Sequence, residues 1–458
     1  MAISASMITH LAQSTTYLAH CWKVEERPRE LVCHWAAASI TNVTARGGYL
    51  KKTGGTDGTD DAAAGSIASF IADFYVKFRT RLDGTVYFGL ATSTATAAAS
   101  SINFAIRVES NGTIKVYELG VLKATSSTTA VSGDFLQVRR VGTAITYWHN
   151  RTKIYTSLTA SSGALFCDTS LVTSSATVND AVFGYVPTVI AVTDHTRRLS
   201  INDEIYYPLP MMPTKTALSD GLKPNNAELT HILTSAGISE ADIIGGRWDY
   251  ARFEYSTVKY PTDTASLYSA MGVVTLSTDL AQKMIGQFGE FKINTAGYFS
   301  AELRSLTQPL AQEIGDVVGS LCTVRQLGDF ACALPMESYT KTGTIASVTS
   351  GLVVTVSLSG GTQADDYFEY GLLQCVTGNN AFYEREIKNN VGNVLTLQRP
   401  FPFTPVAGDS IRVLAGCNRT LAKCITFVNA NEPSGTNVEN FRAWPYVPGL
   451  SKVLLYPA

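Results

Sequence analysis

INFAIRVESNGTIKVYELG, residues 102–120, alternates apolar and polar side chains on both sides of Asn111-Gly112. Alternation with period two marks a half-buried strand, because successive side chains of an extended chain leave opposite faces. Asn-Gly supplies the positive φ that a tight hairpin turn requires. The stretch therefore predicts an antiparallel hairpin. The same texture extends across residues 68–186 in FYVKFRTRL (74–82), TVYFGLA (85–91), FLQVRRV (135–141), AITYWHN (144–150) and KIYTSLT (153–159), punctuated by Asp-Gly and Ser-Gly turns. Strands this short and evenly spaced predict an antiparallel, jelly-roll-like sandwich.

On either side the texture changes. Residues 46–66 are rich in Gly, Thr, Asp and Ala and predict a flexible linker. Residues 5–20 place Met7, Ile8, Leu11, Tyr17 and Leu18 on one face of a short helix. CWKVE (21–25) and ELVCHW (30–35) read as an opening hairpin around Arg27-Pro28. After Pro187, TVIAVTDHTRRLSINDEIYYPL predicts two strands joined by an Asn-Asp turn. A helix starting at Ser239, with Glu240 and Asp242 in its first turn, stops at Gly245-Gly246. Strands follow at WDYARFEY, MGVVTLS, QFGEFKI and GYFSAELRSL, and residues 342–414 form a second β-rich region. The fold class is thus mainly β and multidomain.

With 458 residues, 16% charged residues and a net charge of −2, the composition is that of an ordinary globular protein. It excludes a polyanion-coating surface, and specific nucleic-acid binding is not expected. The first residues lack a basic region followed by an apolar core, and no run approaches the roughly 20 apolar residues of a membrane span. Folding in a reducing cytoplasm is the expectation, which disfavours structural disulfides. Without secretion, the Asn-x-Thr triplets at Asn42, Asn111, Asn150 and Asn418 carry no meaning as glycan sites.

Phosphate-binding glycine motifs, H-E-x-x-H and G-x-S-x-G are all absent. Asp194-His195 is the one pair with a catalytic look, and a turn between strands accounts for it. Asp60-Asp61, Asp365-Asp366 and Glu384 with Glu386 read as solvated turns; Asp57, Asp60 and Asp61 lack EF-hand spacing and read as loop. No catalytic residue is assigned.

The cysteines say more. Cys21, Cys33, Cys167 and Cys375 lie in strand-like surroundings, where a thiol packs as a small hydrophobe. Cys322, Cys332, Cys417 and Cys424 lie in irregular segments that bracket one β-rich region. A β-domain whose ends meet would bring these pairs together. Four thiolates suit a tetrahedral Zn²⁺ or a [4Fe–4S] cluster. The spacings match neither zinc ribbons nor bacterial ferredoxins, so packing thiols, disulfides and metal ligands all stay open.

TTYLAHCWKVE, VTDHTRRLSINDEIYYP, LKPNNAELTHIL, ISEADIIGGRWDYARFEY, FSAELRSLTQPL, LCTVRQLGDFACAL, AGCNRTLAKC and ENFRAWPYVPG follow one another in this chain. In that order they resemble the baseplate hub family of long-tailed bacteriophages and gene transfer agents. That family is similar in its C-terminal part to the tail tip protein L of phage lambda. The resemblance covers residues 1–36 and about 187–458. It implies a non-enzymatic structural protein of the virion tail tip, assembled in the bacterial host cytoplasm as a homotrimer. Its implied partners are the distal tail protein, the tape measure protein and the tip or central fibre protein.

The resemblance also implies a [4Fe–4S] cluster held by Cys322, Cys332, Cys417 and Cys424, with Zn²⁺ as the alternative. The implied domains are a split hub (1–36 and 187–316), an inserted concanavalin- or laminin-G-like sandwich (37–186) and a C-terminal iron–sulfur β-domain (317–458). The insertion interrupts what is continuous in the family, and Ala443 stands where the family tends to have glycine. A sandwich of this type is a frequent glycan binder. A host surface glycan is therefore a further expected partner, and a carbohydrate-binding or carbohydrate-cleaving protein is the competing reading.

Overall fold

Strand Phe104–Val108 pairs antiparallel with Ile114–Glu118, placing Ile106 opposite Val116, as the Asn-Gly hairpin predicts. Asn111 Oδ1 accepts from Thr113 N at 2.9 Å, and Gly112 takes φ +82°. The computed structural model describes residues 18–71, 73–94, 96–201, 204–209, 212–213, 226–232, 238–259, 273–276, 280–294, 297–306, 319–324, 326–429 and 432–444. It is mainly β, and no helix among the described residues is long and apolar enough to cross a membrane. The chain divides into two units, Met1–Pro28 with Pro187–Gly315 and Arg29–Val186 with Asp316–Ala458.

The first unit is built on a ten-stranded sheet. Strand Leu18–Glu25 lies inside it, antiparallel to both Val189–Thr193 and Arg252–Lys259. Trp22 is buried there and stacks on Tyr255 with ring centroids 4.3 Å apart. Phe253, Phe288, Trp248 and Leu303 complete the same core. The helix expected from Ser239 is present as Glu240–Ile244, with Ser239 Oγ donating to Asp242 at 2.6 Å. Arg247 ties it to the start of the sheet, reaching Asp242 at 2.9 Å and the buried Glu26 at 3.4 Å.

Three sequence expectations are corrected here. The expected helix over residues 5–20 is overruled from Leu18, which opens a strand; its earlier residues lie outside the described ones. CWKVE and ELVCHW do not pair with each other. The second forms Glu30–Val32, which pairs with Val182, Phe183 and Gly184 in the other unit, because Leu31 belongs to that core. In WDYARFEY the strand starts only at Arg252, after a turn. Strands Arg198–Ile201 and Glu204–Pro208 do pair antiparallel, while Asn202-Asp203 lies outside the described residues.

In the second unit two sheets face each other. One runs, in spatial order, Val121–Thr125, Ile114–Glu118, Phe104–Val108, Val86–Ala91, Leu165–Leu171, Gly65–Phe70. The other is formed around Phe74–Arg79, which pairs with Phe135–Val141 and Thr177–Tyr185. Their inward faces supply Phe78, Phe88, Ile106, Val116, Leu136 and Val138. The alternation read from sequence is thus the alternation of core and solvent. Residues 46–66 are not a flexible linker. They contain strand Tyr49–Lys52, and the buried Lys52 ammonium donates to Thr56 O, Thr59 O, Val172 O and Asp61 Oδ1 at 2.7–3.0 Å. A buried cation needs such acceptors, and they fix the Gly-rich loop around it.

The β-rich region 342–414 closes into a barrel of six strands: Thr340–Ser350, Val353–Leu358, Val394–Leu397, Glu384–Val391, Leu372–Cys375 and Ser410–Leu414. Its first and last strands pair, Thr340 opposite Leu414. The segments that precede and follow the barrel therefore leave it side by side. Sandwich and barrel touch within this unit. The Phe382 ring stacks on Phe70 at 4.5 Å, and the Arg29 guanidinium lies over Tyr185 at 4.3 Å and Tyr383 at 3.8 Å.

Candidate metal centre

Because the barrel closes, its two flanking segments come together. Cys322 N donates to Arg419 O at 2.9 Å, and Thr323 N donates to Arg442 O at 3.1 Å. Cys332 is placed by a tight loop: Asp329 Oδ1 accepts from Cys332 N at 2.8 Å, and Gly328 and Ala333 take φ +78° and +56°. Cys417 follows Gly416, where a Cβ would lie 1.5 Å from Glu369 O, so only glycine fits. Asn418 Oδ1 accepts from Thr420 N at 3.2 Å and from Thr420 Oγ1 at 2.8 Å. Thr420 in turn caps helix Leu421–Thr426, which carries Cys424. Asn418 is therefore a turn residue with its side chain engaged.

All four of these cysteines line one cavity of about 300 Å³. Leu327, Leu414 and Phe427 form its apolar part. Cys332 and Cys424 are buried, and Cys322 and Cys417 are half-buried. Amide hydrogens are aimed at the sulfurs: Arg442 N to Cys322 Sγ, Arg419 N to Cys417 Sγ and Asn437 Nδ2 to Cys332 Sγ, each at 3.4 Å. The Cys424 thiol donates to Asn437 O at 3.2 Å. Asn437 is itself buried and held by Asn429 and Asn440, whose amides donate to its Oδ1 at 2.8 and 3.1 Å.

Burial raises the Cys332 and Cys417 thiols above their ordinary range. Cys424 is pushed up to about 12, first by burial and then by the charges of Cys332, Cys417 and Cys322. Four thiolates crowded into one cavity repel, so a cation that replaces their protons relieves the repulsion. Among the described residues no three His, Cys, Asp or Glu side chains converge on a single metal-ion position. A lone zinc needs four sulfurs about 2.3 Å from one point. An iron–sulfur cubane instead takes one thiolate at each of four separated corners. An all-sulfur donor set around one cavity, with amide donors behind it, has the chemistry that either group takes.

The remaining sequence candidates are scattered. Asp194 accepts from His20 N at 2.7 Å, and His195 Nδ1 accepts from Arg197 N at 3.1 Å, so the pair shapes a turn. Asp57, Asp60, Asp61 and Asp365 accept hydrogen bonds from Ser174, Ala99, Thr56 and Gly392 amides. Glu384 and Glu386 are corrected from solvated turns to one strand, on the rim of the cysteine cavity. Cys21, Cys33, Cys167 and Cys375 are buried in apolar clusters. Asn437 and the amides of Arg419 and Arg442 escaped sequence reasoning, because an asparagine in NEPSGTNVENF carries no spacing signal.

Residues 187–335 match the family model described as baseplate hub protein, N-terminal attachment domain. Residues 366–450 match that of the phage conserved hypothetical protein BR0599. No curated protein matches the chain. Among solved structures, a chain of the virion of a native gene transfer agent particle is 28% identical, with 59% of this chain and 87% of that one covered and a TM-score of 0.48. The TRIM65 PSpry domain (13% identity, 33% and 90% covered, TM-score 0.26) and the Bacillus subtilis carbohydrate-binding module CBM66 (14%, 35% and 94%, TM-score 0.21) are far more distant. On these two matches, which follow each other along the chain, the protein resembles the baseplate hub family of phages, with residues 187–335 similar to the hub's attachment domain.

Proposed function

We propose that this protein is a non-enzymatic hub at the distal end of a virion tail, with its C-terminal domain closed by a [4Fe–4S] cluster on Cys322, Cys332, Cys417 and Cys424. It assembles as a homotrimer and joins the distal tail and tape measure proteins to the tip or central fibre protein. The inserted sandwich contacts host glycans or neighbouring baseplate proteins. The observation that carries the metal reading is that four cysteines from two distant segments line one cavity. The family match supports the place in the tail.

When bound, the cluster supplies covalent cross-links between the two segments that leave the barrel. The chain's own residues do the rest. Asn437 holds Cys332 in place, the Arg419 and Arg442 amides donate toward sulfur, and Leu327, Leu414 and Phe427 exclude water. A metal bound only by the folded form adds its binding energy to folding, on a scale of about 10–16 kcal/mol for structural zinc peptides. The test is metal analysis of protein purified without oxygen. Iron and acid-labile sulfide in equal amounts, with broad visible absorbance lost in the four Cys→Ser variants, are expected. Equimolar zinc without iron would replace the cluster by the zinc alternative.

A further inference from the structure

An open cleft of about 430 Å³ lies between the inserted sandwich and the segment that carries Cys322 and Cys332. Tyr49, Arg79, Arg81, Asn179 and Asp180 line it from the sandwich, and Phe330 lines it from the cysteine segment. Its size is that of a small-ligand site, which is typically about 300–1,000 Å³. It lies outside the cysteine cavity, and the metal reading makes no use of it.

The cleft is built rather than incidental. A Cβ at Gly47 would lie 2.0 Å from Gly328 O, so the sandwich and the cysteine segment meet there backbone to backbone. Beyond that contact Phe330 stands 61% exposed, its ring edge-on to Tyr49 at 5.4 Å. A phenylalanine left this open beside a second ring presents an unfilled apolar wall. On the sandwich side, the register of Thr177–Tyr185 shifts between Asn179 and Val182, and Asp180 takes a left-handed φ of +51°. Such a bulge re-aims side chains, here at the cleft. Asp180 pairs with Arg79 at 3.1 Å, and Arg79 lies over the Phe135 ring at 4.9 Å. The Arg79 charge is thus engaged. Arg81 is exposed and has no hydrogen-bond or ion-pair partner among the described residues.

Two aromatic rings, an amide, a carboxylate and one unengaged guanidinium describe a specific ligand chemistry. The C–H face of a pyranose ring lies flat on an aromatic face, and its hydroxyls bond to amide and carboxylate oxygens. A planar guanidinium binds a carboxylate through two parallel hydrogen bonds. A purely apolar ligand would leave Arg81 without a partner. A simple anion would leave Phe330 and Tyr49 without a role.

We propose that this cleft binds a carboxylate-bearing saccharide, with the exposed Phe330 face stacking on the ring, Tyr49 supporting Phe330 edge-on, Asn179 and Asp180 holding hydroxyls, and Arg81 holding the acid group. The proposal deepens the reading of the insertion as a glycan-contacting part. It also gives the cysteine segment a second role, since Phe330 sits between two of the cluster ligands.

The experiment is titration calorimetry of the full-length chain with tetragalacturonate, a hyaluronan tetrasaccharide and sialyllactose, each beside its carboxyl methyl ester. At least one acid form binds, and its ester binds about tenfold more weakly or worse, as expected for loss of a charged hydrogen bond. Arg81→Gln brings acid and ester to the same weak affinity, and Phe330→Ala weakens both. Both residues are exposed, and unchanged thermal unfolding of the variants checks that they fold. Equal binding of acid and ester, binding that survives both substitutions, or no binding of any of the three acids overturns the proposal. Incorporation into tails is scored in parallel. Arg81→Gln protein that enters tails without binding saccharide leaves the hub assignment standing, whereas wild-type protein that binds saccharide but never enters tails removes the hub assignment alone.

Discussion

Asp168 shows how one residue departs from what its neighbours in sequence suggest. It lies in strand Leu165–Leu171, and its cross-strand partners are Gly65 on one side and Gly89 on the other. Neither glycine offers a side chain to meet it. Its Oδ1 accepts from Thr169 N at 2.9 Å, while Oδ2 is buried without a hydrogen-bond partner among the described residues. Burial raises this carboxyl from 3.8 to about 7. A raised acid favours the protonated folded form, so stability falls as pH rises from about 4 to about 7, by up to about 4 kcal/mol, and then levels off. Asp168→Asn, neutral throughout, should therefore raise the melting temperature at about pH 8 and leave it nearly unchanged at about pH 4. A loss of stability at pH 8 would mean that the carboxylate is charged and paired. Nothing in FCDTSL announces this, because cross-strand neighbours are set by register and not by sequence proximity.

At the scale of the element, helix Leu421–Thr426 has six residues and cannot persist alone in water. Its cap carries much of its definition. Thr420 Oγ1 accepts from Lys423 N at 3.3 Å, and Asn418 holds Thr420 in turn. Thr420→Ala should cost about 1 kcal/mol by denaturant titration. With the proposed cluster on Cys424, which rides on this helix, it should also speed iron loss to a chelator, while Thr420→Ser should restore both. The hairpin around Asn111-Gly112 was legible in advance because its signal is local: period two and a turn dipeptide. The helix expected at the N-terminus gave way to a strand from Leu18 onward, where Trp22 and Val24 find an aromatic core formed by strands far along the chain. Periodicity in a short segment is a weak preference, and tertiary contacts overrule it.

For the whole molecule, the joint between sandwich and barrel decides how the second unit behaves. Phe382 comes from the barrel side yet is buried in the sandwich core against Phe70. Phe382→Ala should cost about 3–5 kcal/mol. In calorimetry of the full-length protein it should split the unfolding of this unit into separate sandwich and barrel transitions. A single transition lowered in temperature would show that other contacts, such as Arg29 between Tyr185 and Tyr383, suffice to couple them. The linker expected over residues 46–66 failed for a related reason. Its Gly, Thr and Asp residues look solvated, but Lys52 gathers their carbonyls and Asp61 around one buried charge.

The sequence by itself determined the mainly β class and most strands of the sandwich and the barrel, because alternation and turn chemistry act over a few residues. It also singled out Cys322, Cys332, Cys417 and Cys424 by their irregular surroundings. That these four line one cavity was decided only by closure of the barrel, which sets Thr340 beside Leu414 and so brings the flanking segments together. The amide donors behind the sulfurs, the orphaned Asp168 carboxylate and the Tyr49–Phe330 cleft are likewise products of register and long-range contact. They depend on which strands meet, and that depends on the whole chain minimising its exposed apolar surface at once.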